Sequence, residues 1–360
     1  MPKTKWFLFL YSVVLILIAI NLATQVPFIF HPIKVAFSTL APILIIGGIL
    51  YYILRPLVRL IGKKVPNALS IVIIFMTFAG IVAGFVTFVG PILYAQLSGF
   101  VENIPRYIED MEVWLNSFLE NQWVSRMMEE DAVQNFDPAV ITENFSEILS
   151  NMGGNLLQFF GMLVNVVLLI VVLPFVLFFL LKDANKLPDS ILRFLPEDQV
   201  DEGKNIMNDL DGTLSAYIQG QAIVSVCVGI LSLVAYLIIG VEYALILALI
   251  AMFTNLIPFV GPFIGTIPAV FVAFFTDPIL ALWVIIAIVV IQQIESNLIS
   301  PNVMGQKLNI HPLTIILILL LAGNLAGLVG LILAIPFYAV SKVIVQNIYR
   351  LLRLRYPQLR

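Results

Sequence analysis

The stretch FTNLIPFVGPFIGTIPAVFVAFFTDPILALWVIIAIVVIQQIESNLISPNVMGQKLNIHP, residues 253–312, decides how this chain is read. It is apolar enough to sit in a bilayer. Yet it carries Pro258, Pro262, Pro268, Pro278 and Pro301, the glycines Gly261 and Gly265, and one acid, Glu295, inside a hydrophobic run. Proline removes a backbone donor and breaks the helix ladder. In lipid the freed backbone groups must find partners within the protein or in a water-filled cavity. A membrane segment that breaks its helix and sets a carboxylate nearby reads as a solute site.

Composition puts the rest of the chain in the membrane with it. The 360 residues are 61% hydrophobic and only 11% charged, with a mean hydropathy of +1.03. A soluble domain carries about 25% charged residues. The expected fold is all-α: a polytopic helical membrane protein of about eight membrane segments, one of them broken or re-entrant. The single cysteine, Cys227, lies in an apolar run and reads as a small buried side chain.

Outward from the central stretch, the apolar runs fall at residues 6–22, 35–54, 68–92, 155–181, 214–240, 243–275, 278–298 and 312–341. The run at 243–275 is too long for one straight crossing. It is either one discontinuous span or a re-entrant hairpin, and a single crossing agrees better with the loop charges. Lys3 and Lys5, the Arg55–Lys64 cluster, the Lys182–Arg193 loop and a basic tail all fall at span ends that excess Lys/Arg assigns to the cytoplasm. Both termini are therefore expected in the cytoplasm of a plasma-membrane protein.

Residues 93–152 break the pattern. They hold eleven acids against Arg106 and Arg126, a local charge of −9. Ile104, Tyr107, Ile108, Met111, Trp114, Leu115 and Phe118 recur at helical spacing. This predicts a small helical extramembrane insertion with one apolar face, docked on the membrane or on a neighbouring subunit. The chain thus divides into N-terminal membrane helices (1–92), the acidic insertion (93–152), a transport core (153–345) and a basic cytoplasmic tail (346–360).

Within the core, Glu295 is the foremost candidate for chemistry. A mid-bilayer charge costs roughly 2.5–3.5 kcal/mol on insertion scales, and such residues usually face a cavity. Gln292, Glu295, Ser296 and position 299 share one face of a regular helix. That face joins amide, carboxylate and hydroxyl groups, suited to a monovalent cation, a proton or a polar organic solute. The competing reading pairs Glu295 with Lys307, or makes it a loop cap. Asn255, Pro258, Gly261 and Pro262 form the other half of the site, where freed carbonyls would point inward as in broken-helix transporters. A plain kinked helix with packing glycines is the alternative. Gln219 and Gln221 are weaker candidates for lining the same path. Asp277 and Glu242 read as caps at span boundaries.

Other chemistries find no footing. The chain has no G-x-x-x-x-G-K-[ST] loop, no H-E-x-x-H and no G-x-S-x-G. His31 and His311 stand far apart, so no metal site, cofactor, enzyme activity or nucleic-acid partner is expected. A passive channel or oligomeric pore, and a membrane scaffold or sensor using the acidic insertion, remain as alternatives to a transporter.

Several motifs together resemble a known family. They are Phe179-Leu-Leu-Lys-Asp183, Tyr217-Ile-Gln-Gly-Gln221, Asn255-Leu-Ile-Pro-Phe-Val-Gly-Pro262 and Gln292-Gln-Ile-Glu-Ser-Asn-Leu-Ile-Ser-Pro301. His311-Pro312 and Gly323-Asn-Leu-Ala-Gly-Leu-Val-Gly-Leu-Ile-Leu-Ala-Ile-Pro336 complete the set. The sequence resembles the autoinducer-2 exporter family of bacterial permeases. The resemblance implies a multi-pass permease with a helical insertion between its third and fourth spans, and assembly as a homo-oligomer. It implies export of a small furanosyl signal or exchange of Na+ or Li+ for H+.

Overall fold

A computed structural model describes residues 27–119, 167–193, 199–304 and 310–355, with scattered positions in 10–21 and at 154 and 196. Every regular element among the described residues is helical. The long apolar runs dictate this, because a helix alone satisfies its own backbone in lipid. The first continuously described helices are α1 (Pro27–Ile61), α2 (Asn67–Phe88) and α3 (Gly90–Leu119). After a gap come α4 (Val167–Asp183), a short α5 (Leu187–Leu192) and the 40-residue α6 (Val200–Ile239). Then follow α7 (Ala244–Thr254), α8 (Val260–Thr276) and α9 (Pro278–Ile294). A π-helical turn (Glu295–Ile299), α10 (Ser300–Met304) and α11 (Pro312–Arg355) end the described chain.

Five of these segments are long and apolar enough to cross a membrane: Lys34–Ile61, Asn67–Phe88, Val200–Ile239, Pro278–Met304 and Pro312–Asn347. The runs read at 35–54, 68–92, 214–240 and 278–298 fall on the first four. The run at 155–181 is described only from Val167 onward, and part of 6–22 and all of 120–153 lie outside the described residues. Gly240 ends α6 in the left-handed region at φ 84°, its N–H returning 3.0 Å to the Tyr236 carbonyl. Glycine is the residue that takes this conformation without a Cβ penalty. Asp277 caps α9, its Oδ1 accepting from the Ile279 N–H at 2.9 Å, with Pro278 in the first turn, where its missing N–H costs nothing.

The break in the central stretch is a hairpin, which corrects the preference for a single crossing. An 11-residue α7 reaches about 16 Å and a 17-residue α8 about 25 Å, both short of the roughly 30 Å hydrocarbon core. The two helices lie against each other. A Cβ at Gly261 would fall on the Thr254 carbonyl, and one at Gly265 would stand 2.9 Å from the Ala251 Cα. At the open end, Val241, Ala244 and Ile246 share one buried cluster with Phe271, Val272 and Ala273. The chain therefore enters and leaves by the same end, beside Tyr236 of α6 and Ala281 of α9.

The last apolar run is bent as well. The run at 312–341 is not one straight span, because Ala326 (φ −140°, ψ 17°) and Gly327 (φ 56°, ψ −138°) leave the helical region. A Cβ at Gly330 would meet the Ala322 carbonyl, and one at Gly323 would stand 3.1 Å from Leu331 Cδ2. Residues eight apart on a straight helix are about 12 Å apart. The legs therefore fold back, and Ile315 and Leu319 pack against Ala334 and Ile335.

The acidic helix α3 belongs to this core. Leu93, Leu97, Phe100, Ile104 and Tyr107 are buried against the α7–α8 hairpin. Asn103 Nδ2 donates to the Tyr243 hydroxyl at 2.9 Å, and the Ile246 N–H donates to Gln96 Oε1 at 3.1 Å. The apolar stripe read from spacing thus docks on the chain itself. α3 runs unbroken through residue 93, and α11 through 346. At the other end of the molecule, Arg55 on α1 reaches both carboxylate oxygens of Asp211 on α6 at 2.7 Å.

Candidate functional site

The tip of the α7–α8 hairpin, residues 255–259, has its main chain almost fully spent. The N–H groups of Asn255, Leu256 and Ile257 return to Ala251, Phe253 and Thr254 at 3.0, 3.2 and 2.9 Å. Pro258 has no N–H to place. Its carbonyl accepts from the Val260 N–H at 2.8 Å, with Phe259 between them at φ 64°, ψ −46°. This is a γ-turn of the rare, strained hand, at a bulky residue. The Asn255 carbonyl is taken by Gln221 Nε2 of α6 at 2.6 Å. The carbonyls of Asn255, Ile257 and Pro258, where free inward-pointing groups were expected, are therefore paired.

Facing the tip, α9 gives way to the π-helical turn at Glu295. Such turns are rare and recur at functional sites. The wider turn shifts the register by one residue. Gln292, Glu295 and Ser296 face a common cavity as the regular spacing predicts, but the next residue on that face is Ser300 and not 299. Ile299 packs instead beside Val224, Val228 and Ile291.

The cavity between tip and turn has a volume of about 760 Å³. Glu295, Gln292 and Ser296 line one wall, Pro258 and Pro262 another, and Tyr217 with Gln221 of α6 a third. Asn255 is 1% exposed, and its side chain and that of Gln292 lie beside the Glu295 carboxyl. Even so, Glu295 Oε2, Asn255 Nδ2 and the Tyr217 hydroxyl are buried without a hydrogen-bond partner. A buried polar atom left unpaired costs about 1–3 kcal/mol. Two of the three, on Glu295 and Tyr217, belong to residues that line the cavity, and Asn255 lies beside the first. Among the described residues no lysine, arginine or histidine lines the cavity, and its remaining walls are mainly apolar.

Three sequence candidates are not on the cavity wall: Asn255, which lies beside the Glu295 carboxyl, Gln219 and Gly261. Gln219 points to α1, donating to the Tyr52 carbonyl and to Ser215 Oγ, each at 2.8 Å. Gly261 is buried against Thr254, where it lets the hairpin legs touch. Lys307, the rival partner for Glu295, lies outside the described residues. Tyr217 and Ser300 were not singled out by spacing. Tyr217 sits one helical turn before Gln221, a signal that sequence carries only once Gln221 is known to face inward.

The sequence profile of one family of membrane transporters matches residues 8–350. The chain belongs to the AI-2E transporter family. It is 42% identical to the candidate transport protein YueF of Bacillus subtilis, over 99% of this chain and 96% of that one. A second B. subtilis relative, YrrI, is 31% identical over 94% of each chain. The candidate permease PerM of Escherichia coli is 28% identical over 85% of this chain and 86% of its own length. Like its AI-2E relatives, the chain is a multi-pass membrane protein of bacterial type.

Proposed function

We propose that this AI-2E protein is a secondary transporter whose cargo rests between the α7–α8 hairpin tip and the π-helical turn. The observation that carries this reading is the Glu295 carboxyl, half-buried in a 760 Å³ cavity with Oε2 unpartnered. Hairpins that stop within the membrane place their ends at a central site, which suits alternating access. A carboxyl group that gains and loses a proton there couples cargo movement to a proton gradient. The volume and mainly apolar walls favour a small organic solute over a naked ion. Exchange of Na+ or Li+ for H+ stays as a second reading, because Glu295 Oε2 and the Tyr217 hydroxyl are open oxygen atoms near one another's cavity.

The hairpins also bear on topology. With 243–275 folded back to its own side and α11 bent, both termini share one side, which the basic loops assign to the cytoplasm. The exposed face of α11, with Leu313, Leu317, Leu320 and Leu321, awaits lipid or a second copy of the chain.

The test is the purified protein in liposomes with a pH-sensitive dye inside, challenged with Na+, Li+, K+ and small neutral or cationic organic solutes. A solute-dependent pH change in the wild type that vanishes in Glu295→Gln is expected. Transport unchanged by Glu295→Gln would overturn the site.

A further inference from the structure

The Glu295 cavity continues past its polar corner. Phe263, Thr266 and Ile285 line it, and the same three residues line a second space of about 560 Å³. This is a groove between α8 and the acidic helix α3, closed by Met111, Trp114 and Phe274. Thr266 is its one polar lining residue, and that hydroxyl is spent on the Pro262 carbonyl. Trp114 is held in place there, stacked on Phe118 and edge-on to Phe274, with ring centres 5.2 Å apart in each pair. Phe263, 76% exposed, stands where the two spaces meet.

We propose that the two spaces form one site for an amphiphilic solute, with a protonated amine head at Glu295 and an apolar body lying past Phe263 against Trp114. This rests on the reading of the Glu295 cavity as the cargo site. The head follows from charge and pairing. A carboxylate with no basic side chain among the described residues of either space attracts a cation and repels an anion. The unpartnered Tyr217 hydroxyl suits a neighbouring oxygen on the same head. The body follows from the groove, whose walls are almost wholly aromatic and aliphatic. Continuity through Phe263 is what makes a solute tail, and not an unrelated lipid chain, its occupant.

The test uses the full chain in nanodiscs and reads Trp114 fluorescence, with Trp114→Phe giving the background of the other tryptophans. The probes are a bromoalkyl amine and, as partition control, a bromoalkyl carboxylate of equal length. Saturable quenching by the amine alone is expected, with half-saturation at least tenfold weaker in Glu295→Gln. Quenching should tighten by up to about fourfold per added methylene beyond what the carboxylate gains from the membrane. Phe263→Ala should keep the preference for amine but change that dependence on length. Equal quenching by amine and carboxylate, insensitive to Glu295→Gln, would overturn the proposal. So would quenching by a brominated phospholipid that excess amine does not relieve, since an acyl chain would then hold the groove. If Glu295→Gln abolishes transport while amines leave Trp114 unmoved, the cargo site stands and the amphiphile fails. If that variant transports normally, the site itself fails.

Discussion

Gln221 on α6 donates through Nε2 to the main-chain carbonyl of Asn255, 2.6 Å away, and so ties the hairpin tip to that 40-residue helix. Both residues are buried, at 7% and 1% exposed. Glu295 stands on the other side of the same asparagine. One residue therefore links the scaffold, the strained turn and the carboxylate.

Replacing Gln221 by Leu keeps its bulk and removes its donor. The Asn255 carbonyl is then buried without a partner, at a cost of about 1–3 kcal/mol. Thermal unfolding in detergent should show a lower midpoint, and transport in liposomes should fall with it. A variant matching wild type in both would show that the tip is anchored elsewhere.

The hairpin contact predicts opposite signs for two glycine substitutions. Gly84 on α2 has open space where a Cβ would go, so Gly84→Ala should stabilise by roughly 0.5–1 kcal/mol. Gly261→Ala pushes a methyl into the Thr254 carbonyl and should lose stability by about 1–3 kcal/mol or fail to assemble. Parallel melting curves of the two variants check this. A straight span at 243–275 would tolerate both.

Phe259 holds a positive φ of 64°, which costs of order 1–3 kcal/mol for a side chain of its size. Phe259→Gly should therefore leave the melting temperature near wild type despite the lost ring. Phe259→Val, branched at Cβ, should lower it by more than 1 kcal/mol equivalent. Since Phe259 lines the cavity, both variants should weaken apparent cargo affinity in uptake assays.

Arg55 and Asp211 join α1 to α6 across 156 residues of sequence. Arg55 is 15% exposed at its side chain and Asp211 42%, and the guanidinium also sits 5.5 Å over the Tyr51 ring. A pair so placed should exceed the median surface ion pair. A double-mutant cycle with Arg55→Ala and Asp211→Ala should return a coupling of about 1–2 kcal/mol. A coupling near zero would leave α1 held by its apolar contacts and the Gln219–Tyr52 hydrogen bond.

Much of this was written into the chain order itself. The alternation of apolar runs with short charged loops is a local property, and it places α1, α2, α6 and α9 without reference to any contact. The same holds for Asp277 as a cap and for Gly240 as a stop. Glu295 stood out because a carboxylate inside a hydrophobic run is costly wherever the helix happens to face.

The path of the central stretch was another matter. Pro258 and Gly261 mark a break, but a kinked crossing and a hairpin break the same bonds. Only the contact of Gly261 with Thr254, and of Gly265 with Ala251, selects the hairpin. The bend at Ala326–Gly327 hid for the same reason, since glycine permits a turn and does not require one.

From its sequence alone this protein was bound to be a bundle of membrane helices carrying one interrupted segment and one stranded acid, because lipid enforces internal backbone pairing residue by residue. Tertiary structure alone decided that the interruption turns back, that the π-helical turn brings Ser300 to the cavity in place of residue 299, and that Gln221 and Tyr217 meet Asn255 and Glu295 around one space. Those outcomes depend on groups far apart in the chain competing for the same few hydrogen bonds, a competition that no local pattern records.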